Sequence, residues 1–136
     1  MVRNIAGVVV GLALGVLAIL LVEMVGQAIV PLPLDAERSD PAMLAAAVAS
    51  VPMTAFLFVV LAWAAGAFVG AWIAARLGSR GAAAVVVVIL LLTSVYNMAV
   101  LPNPLWFWVL GVLAFPALGV LGARMGERGR PASAHV

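Results

Sequence analysis

The sequence contains no cysteine, no lysine and a single histidine, His135. Without cysteine, the chain cannot form disulfide bonds, use a thiolate nucleophile or bind a metal through thiolates. His135 lies in a polar C-terminal stretch without neighbouring ligands, so we predict no metal site and no cofactor. Charged residues are also scarce, at 9%, whereas 67% of residues are hydrophobic. Soluble domains have about 25% charged and about 45 to 50% apolar residues, so this composition indicates a protein embedded in lipid.

Four hydrophobic segments are long enough to cross a membrane, and the mean hydropathy of the chain is +1.28. A bilayer core of about 30 Å requires about 20 apolar residues in a helix. The sequence therefore predicts an all-α membrane protein, a four-transmembrane-helix bundle in a single domain over residues 1–130. The predicted spans cover about 5–30, 52–75, 82–101 and 104–123, and residues 131–136 form a polar C-terminal tail.

The arginines predict the orientation of the spans. Six of them flank the same ends of the four segments, namely Arg3, Arg76, Arg80, Arg124, Arg128 and Arg130. Positively charged residues mark the cytoplasmic side, which predicts that the N and C termini are cytoplasmic. The acidic loop with Asp35, Glu37 and Asp40 is then outside. Since the arginines have this topological role and the net charge is only +2, no nucleic-acid partner is predicted.

The loop between spans one and two also predicts a short extra helix. Asp40 is a favourable N-cap residue and Pro41 suits the first helical position. The helix would run from Pro41 to about Ala49, which is too short to cross a bilayer, so we expect it at the outer surface. Arginine without lysine, together with abundant alanine and glycine, is typical of GC-rich bacterial genomes. The predicted location is therefore a bacterial inner (cytoplasmic) membrane, as a multi-pass protein.

Rows of small residues predict close helix contacts. Span one has Gly7, Gly11 and Gly15 at a spacing of four, span two has Gly66 and Gly70, and span four has Gly119. Such spacing lets helix backbones approach closely within lipid. We expect mainly internal packing with some contact between subunits, so a homo-oligomer is a possible partner beside the bilayer itself.

A weak internal repeat links the ends of spans two and four. "AARLGSRG" at 74–81 matches "GARMGERG" at 122–129 in five positions. Two interpretations stay open. In the first, both ends follow the same rules, with an arginine in the last turn and a glycine after it. In the second, the segments descend from a duplicated hairpin with an axis along the membrane normal.

Polar side chains within the spans converge on one level in the outer half. Span one contributes Glu23 and Gln27, and span three contributes Thr93, Tyr96 and Asn97. Residues three or four apart share a helix face, so we expect the two faces to form a polar pocket in which Glu23 is hydrogen-bonded to Asn97 or Tyr96. Three roles remain open for it: a structural hydrogen-bond network or snorkelling acid, a proton or cation site, and a lipid or small-molecule pocket.

Two resemblances bear on function. "WAAGAFVGAWIAAR" (63–76) and "LPNPLWFW" (101–108) resemble segments of small four-span bacterial membrane proteins without an assigned function. "LVEMVGQ" (21–27) resembles the first-helix motif of the small multidrug resistance family over one heptad. Those four-helix proteins use one membrane glutamate to bind protons or cationic drugs, and that resemblance implies such a role for Glu23 alone.

The predicted function is transport-like binding of a proton, a cation or a small molecule, with the ligand unknown. The alternative is a non-catalytic structural or accessory subunit that oligomerises through the glycine-rich faces. An enzyme is not predicted, because the spans contain no histidine or lysine, no paired carboxylates and no glycine-rich phosphate loop.

Overall fold

A computed structural model, which describes residues 1–31 and 40–129, contains five α-helices within those residues. They are α1 (Val2–Ile29), α2 (Pro41–Ala49), α3 (Met53–Leu77), α4 (Arg80–Val100) and α5 (Leu105–Arg128). All except α2 are long and apolar enough to cross a membrane, and each of these four overlaps one predicted span. The all-helical class with four span-length helices is confirmed. α5 is longer than predicted, because it continues beyond 123 to Arg128.

Local sequence signals fix several helix boundaries. Asp40 caps α2, since its Oδ1 accepts a hydrogen bond of 2.9 Å from the backbone N–H of Ala42. Ser79 caps α4 in the same way, with its Oγ accepting from the N–H of Ala82 at 3.2 Å. Because only Gly78 and Ser79 separate α3 from α4, these two helices are antiparallel neighbours. The predicted loop acids Asp35 and Glu37, and the tail at 131–136, lie outside the described residues.

The four long helices pack with α3 and α4 between α1 and α5. α3 contacts all three other long helices, most extensively α1 and α5, and α4 also contacts all three. α1 runs parallel to α4, and α3 runs parallel to α5 in the opposite direction. Within the described part of the chain, α1 and α5 do not meet, and α2 has no buried residue.

Glycine rows bring α1 and α3 into backbone contact. A Cβ atom added to Gly11 would lie 2.7 Å from the carbonyl oxygen of Gly70, and one added to Gly70 would lie 3.0 Å from the carbonyl oxygen of Gly11. A Cβ added to Gly15 would lie 3.0 Å from the carbonyl oxygen of Gly66, and one added to Gly7 would lie 2.9 Å from the backbone of Gly78. No larger residue fits this interface without moving the helices apart.

α5 packs on the opposite side of α3 through two kinds of contact. At one end, Gly122 and Gly126 lie against the backbone carbonyls of Phe68 and Trp72. Towards the other end, an aromatic layer fills the interface, with ring centroids 5.2 Å apart for Trp63 and Phe107 and 5.9 Å apart for Trp63 and Phe115. Gly119 instead faces the side chain of Val87 on α4. All six glycines named for packing are therefore buried within the single chain.

The described arginines lie at one end of the bundle, which we call the inner end. The carbonyl oxygen of Arg3 is 3.3 Å from a Cβ placed on Gly78, and the Arg76 guanidinium Nη1 is 3.0 Å from one placed on Gly129. The ends of α1, α3 and α5 that carry these residues are therefore adjacent. The two repeated segments end the parallel neighbours α3 and α5, an arrangement compatible with both interpretations of the repeat.

Candidate functional site

The polar residues of α1 point towards the seam between α1 and α4. At the inner end of this seam, Ile5 and Val9 line a groove shared with α4. Glu23 and Gln27 follow them by 18 residues each, which is five complete turns at about 3.6 residues per turn. Glu23 and Gln27 therefore lie on the same side of α1 as Ile5 and Val9, but towards the outer end.

The polar residues of α4 follow the same register. Thr93 lies 11 residues, about three turns, beyond Ala82. The same spacing separates Tyr96 from Val85 and Asn97 from Val86. Ala82 and Val85 line the inner groove, and Val86 is fully buried beside Gly70 of α3. The polar face of α4 thus points to the same seam as the polar face of α1.

The two faces also lie at the same height. α1 and α4 meet where a Cβ on Gly15 would be 3.3 Å from Cδ1 of Leu90. Glu23 is eight residues beyond Gly15, about 12 Å along the helix, and Asn97 is seven residues beyond Leu90, about 10.5 Å. Since α1 and α4 are parallel, Glu23 and Asn97 stand at nearly the same level.

Side chains on the outer part of the seam are more exposed than Leu90, which lies nearer the inner end. Leu90 is 4% exposed, whereas Thr93 and Asn97 are exposed and Tyr96 is 71% exposed. The outer end of α1 stays on α3, where Gly26 packs against Phe58. The outer end of α4 packs against α5, where Met98 lies beside Gly111. Glu23 and Gln27 on α1 and Thr93, Tyr96 and Asn97 on α4 thus flank the outer part of the α1–α4 seam, which we call the outer cleft.

The predicted hydrogen bond from Glu23 to Asn97 or Tyr96 is not formed. Thr93 Oγ1 donates to the carbonyl oxygen of Ile89 at 2.9 Å, and Asn97 Nδ2 donates to that of Thr93 at 3.2 Å. Both side chains are thus satisfied on their own helix, as polar side chains in helices often are. Glu23 is half-buried, and no hydrogen bond or ion pair joins it to another described residue. This prediction was wrong, because Thr93 and Asn97 donate to backbone carbonyls of α4 instead.

The outer cleft presents one acidic side chain together with neutral oxygen-bearing groups. Glu23 supplies a carboxylate, Gln27 and Asn97 supply amide oxygens, and Thr93 and Tyr96 supply hydroxyl groups. No basic side chain belongs to the set. Within residues 1–31 and 40–129, no group of three or more histidine, cysteine, aspartate or glutamate residues is arranged to hold a metal ion.

Two features of the structure were not predicted from the sequence. One is a groove of about 480 Å³ at the outer end, where α2 faces the turn between α4 and α5 and where Phe56, Asn103 and Trp106 form part of the lining. The other is Ser94, a buried polar side chain on α4. The motif "LPNP" signals the turn at Asn103, but no local pattern indicates that α2 lies beside it.

Comparisons with protein-family models, curated proteins and solved structures gave no match. The class of protein therefore rests on the fold: four long apolar helices are the architecture of a multi-pass membrane protein. Within that class, the functional assignment depends on the geometry of the outer cleft.

Proposed function

We propose that the protein is a small multi-pass integral membrane protein whose outer cleft binds a cation in a transport-like role, with Glu23 as the counter-charge. The supporting observation is the shared register of the two polar faces. Glu23 and Gln27 on α1 face Thr93 and Asn97 on α4 across one opening, at one height. Scattered polar residues on lipid-facing helices would not converge in this way.

The chemistry of the cleft favours a cation over an anion or a neutral polar ligand. Burying a carboxylate costs free energy unless its charge is paired or neutralised, and a cation or a proton offsets that cost for the half-buried Glu23. Within residues 1–31 and 40–129, no arginine forms an ion pair with Glu23, so none of them supplies its counter-charge. Because the opening lies between two apolar helices, an amphipathic organic cation suits it better than a small hydrated ion. The resemblance of "LVEMVGQ" to the small multidrug resistance family agrees with this role for Glu23.

The proposal includes an orientation and a location. The inner end, with Arg3, Arg76, Arg80, Arg124 and Arg128, faces the cytoplasm, because positively charged flanks are retained there. The N and C termini are then cytoplasmic, and α2 and the outer cleft are on the opposite side. A bacterial inner membrane is the proposed location.

The alternative is a non-catalytic accessory subunit without a ligand. For this alternative, the sequence predicts the glycine rows as the surface for oligomerisation. Those rows contact neighbouring helices of the same chain, as Gly11 does with Gly70 and Gly122 with Phe68. An accessory role would therefore require a different surface, and the cation test separates the two functions.

The test is the binding of tetraphenylphosphonium, an amphipathic cation, to the purified protein in detergent by isothermal titration calorimetry. We expect saturable binding that Glu23→Gln weakens by at least about ten-fold, since losing one ion pair in a weakly solvated site is worth more than about 1.4 kcal/mol. Glu127→Gln is the matched control, because it makes the same chemical change in a long helix at the inner end.

Three results are possible. Loss of binding in Glu23→Gln but not in Glu127→Gln supports the proposal. Equal binding by both variants places the cation elsewhere. The third result is that the unmodified protein does not bind tetraphenylphosphonium, even at concentrations of the cation that saturate protein-free lipid. That result favours the accessory role.

A further inference from the structure

The inner groove between α1 and α4 is a second site, separate from the outer cleft. It has a volume of about 340 Å³. The contact of Gly15 with Leu90 lies between the two openings and separates them. The proposed cation function does not use this groove.

The lining changes from polar to apolar along the helix axes. Asn4, Ser79 and Gly81 line the groove at the inner end, where α1 and α4 begin. Val8, Val9 and Val85 line it further into the membrane-spanning part. A ligand that fills the groove has a polar group at the inner end and an apolar chain beside the valines.

The charge at the polar end is positive. Arg3 directly precedes Asn4, and Arg80 lies between Ser79 and Gly81; both side chains are exposed. Neither forms an ion pair with a residue in the described ranges. The one described carboxylate at this end is Glu127, on α5, which does not touch α1. Two uncompensated arginines beside a polar mouth complement a negatively charged group.

We propose that the inner groove binds an anionic phospholipid. Its phosphate binds at the polar end of the groove, where Arg3 and Arg80 neighbour lining residues in the sequence, and one acyl chain runs along Val8, Val9 and Val85. Arginine binds phosphate oxygens through paired N–H donors, and basic residues at a membrane surface strengthen the binding of anionic lipids. A free inorganic phosphate would satisfy the arginines but would leave the apolar part of the groove unfilled.

The test compares phosphatidylglycerol with phosphatidylcholine of the same acyl chains, by native mass spectrometry of the intact protein released from mixed micelles. We expect retention of phosphatidylglycerol that weakens roughly five-fold in Arg3→Gln and in Arg80→Gln, the effect of one basic residue near an anionic lipid. Arg80→Lys keeps the charge and should retain most of the binding. Arg124→Gln is the matched control, since Arg124 is an exposed arginine on α5, away from the groove.

A second variant tests the apolar part. Val9→Trp places a large ring in the groove from a position that is exposed, so the helix tolerates it. It should reduce retention of phosphatidylglycerol without changing Arg80.

Equal retention of both lipids, or equal loss in Arg124→Gln and Arg80→Gln, would overturn the proposal. Displacement of the lipid by millimolar inorganic phosphate would assign the site to free phosphate instead. Glu23→Gln should leave lipid retention unchanged, which separates this test from that of the outer cleft.

Discussion

A pair of glycine-to-alanine substitutions tests how the bundle is held together. In Gly11→Ala the new methyl group lies 2.7 Å from the carbonyl oxygen of Gly70 and 2.9 Å from Cβ of Ala74. Carbon atoms in favourable contact are about 3.5 to 4.0 Å apart, so α1 must move away by roughly 0.6 Å or more. In Gly81→Ala the nearest atom is Oγ of Ser79 at 3.6 Å, and nothing must move.

The difference between the two variants isolates the effect of the clash. Replacing glycine by alanine inside a helix stabilises it by about 1 kcal/mol through helix propensity, and this gain is common to both. Overpacking a well-packed interface costs about 1 to 3 kcal/mol. The neighbours of Gly11 are backbone and Cβ atoms, which cannot rotate away. We therefore expect Gly11→Ala to be less stable than Gly81→Ala by about 1 to 3 kcal/mol.

The assay is unfolding in mixed micelles with increasing sodium dodecyl sulfate, followed by tryptophan fluorescence. Gly81→Ala should unfold at the same or a higher denaturant fraction than the unmodified protein, and Gly11→Ala at a lower one. If the two variants unfold together, the α1–α3 interface is looser than its geometry indicates, and backbone contact is not what holds α1 in place.

Two further predictions concern the aromatic layer and the orientation. Phe115→Ala should cost about 3 to 5 kcal/mol in the same unfolding assay, because Phe115 is fully buried; Leu113→Ala, on the exposed face of α5, should cost far less, and similar losses would contradict the described packing. For orientation, the absence of cysteine permits single-cysteine labelling without background: Pro102→Cys should react with an impermeant maleimide in intact cells and Gly129→Cys only after permeabilisation, whereas the reverse result would invert the proposed topology.

The four long helices were predictable because they depend on local properties. The length of an apolar run and the position of a capping residue such as Asp40 are determined by neighbouring residues in the chain. Burial of the six glycines agrees with the same kind of local pattern, because spacing of four places them on one helix face. The partner of each face was not predictable, since nothing local states that Gly11 meets Gly70 and not a glycine of α5.

The outer cleft was predicted only in part, for the same reason. Helical periodicity placed Glu23 and Gln27 on one face, and Thr93 and Asn97 on another, without any knowledge of the packing. The hydrogen bond between the faces required the distance between α1 and α4, which depends on contacts that each helix makes with a third. Helix register agrees with the predicted height of the two polar faces, the predicted hydrogen bond between them was wrong, and the assignment of these residues to a binding site stays a prediction.

The size of the residues that α3 presents to its neighbours differs between the two ends of the bundle. Towards the inner end, α3 presents Gly66, Gly70 and Ala74, and its neighbours approach to backbone contact. Towards the outer end, α3 presents Phe58 to Gly26 of α1 and Trp63 to Gly111 of α5. Glycines on the facing helices accommodate these large side chains, because close-packed helices can approach only as far as their side chains allow. The outer ends of α1 and α5 therefore stay close to α3, and Glu23, three residues before Gly26 on α1, is half-buried there.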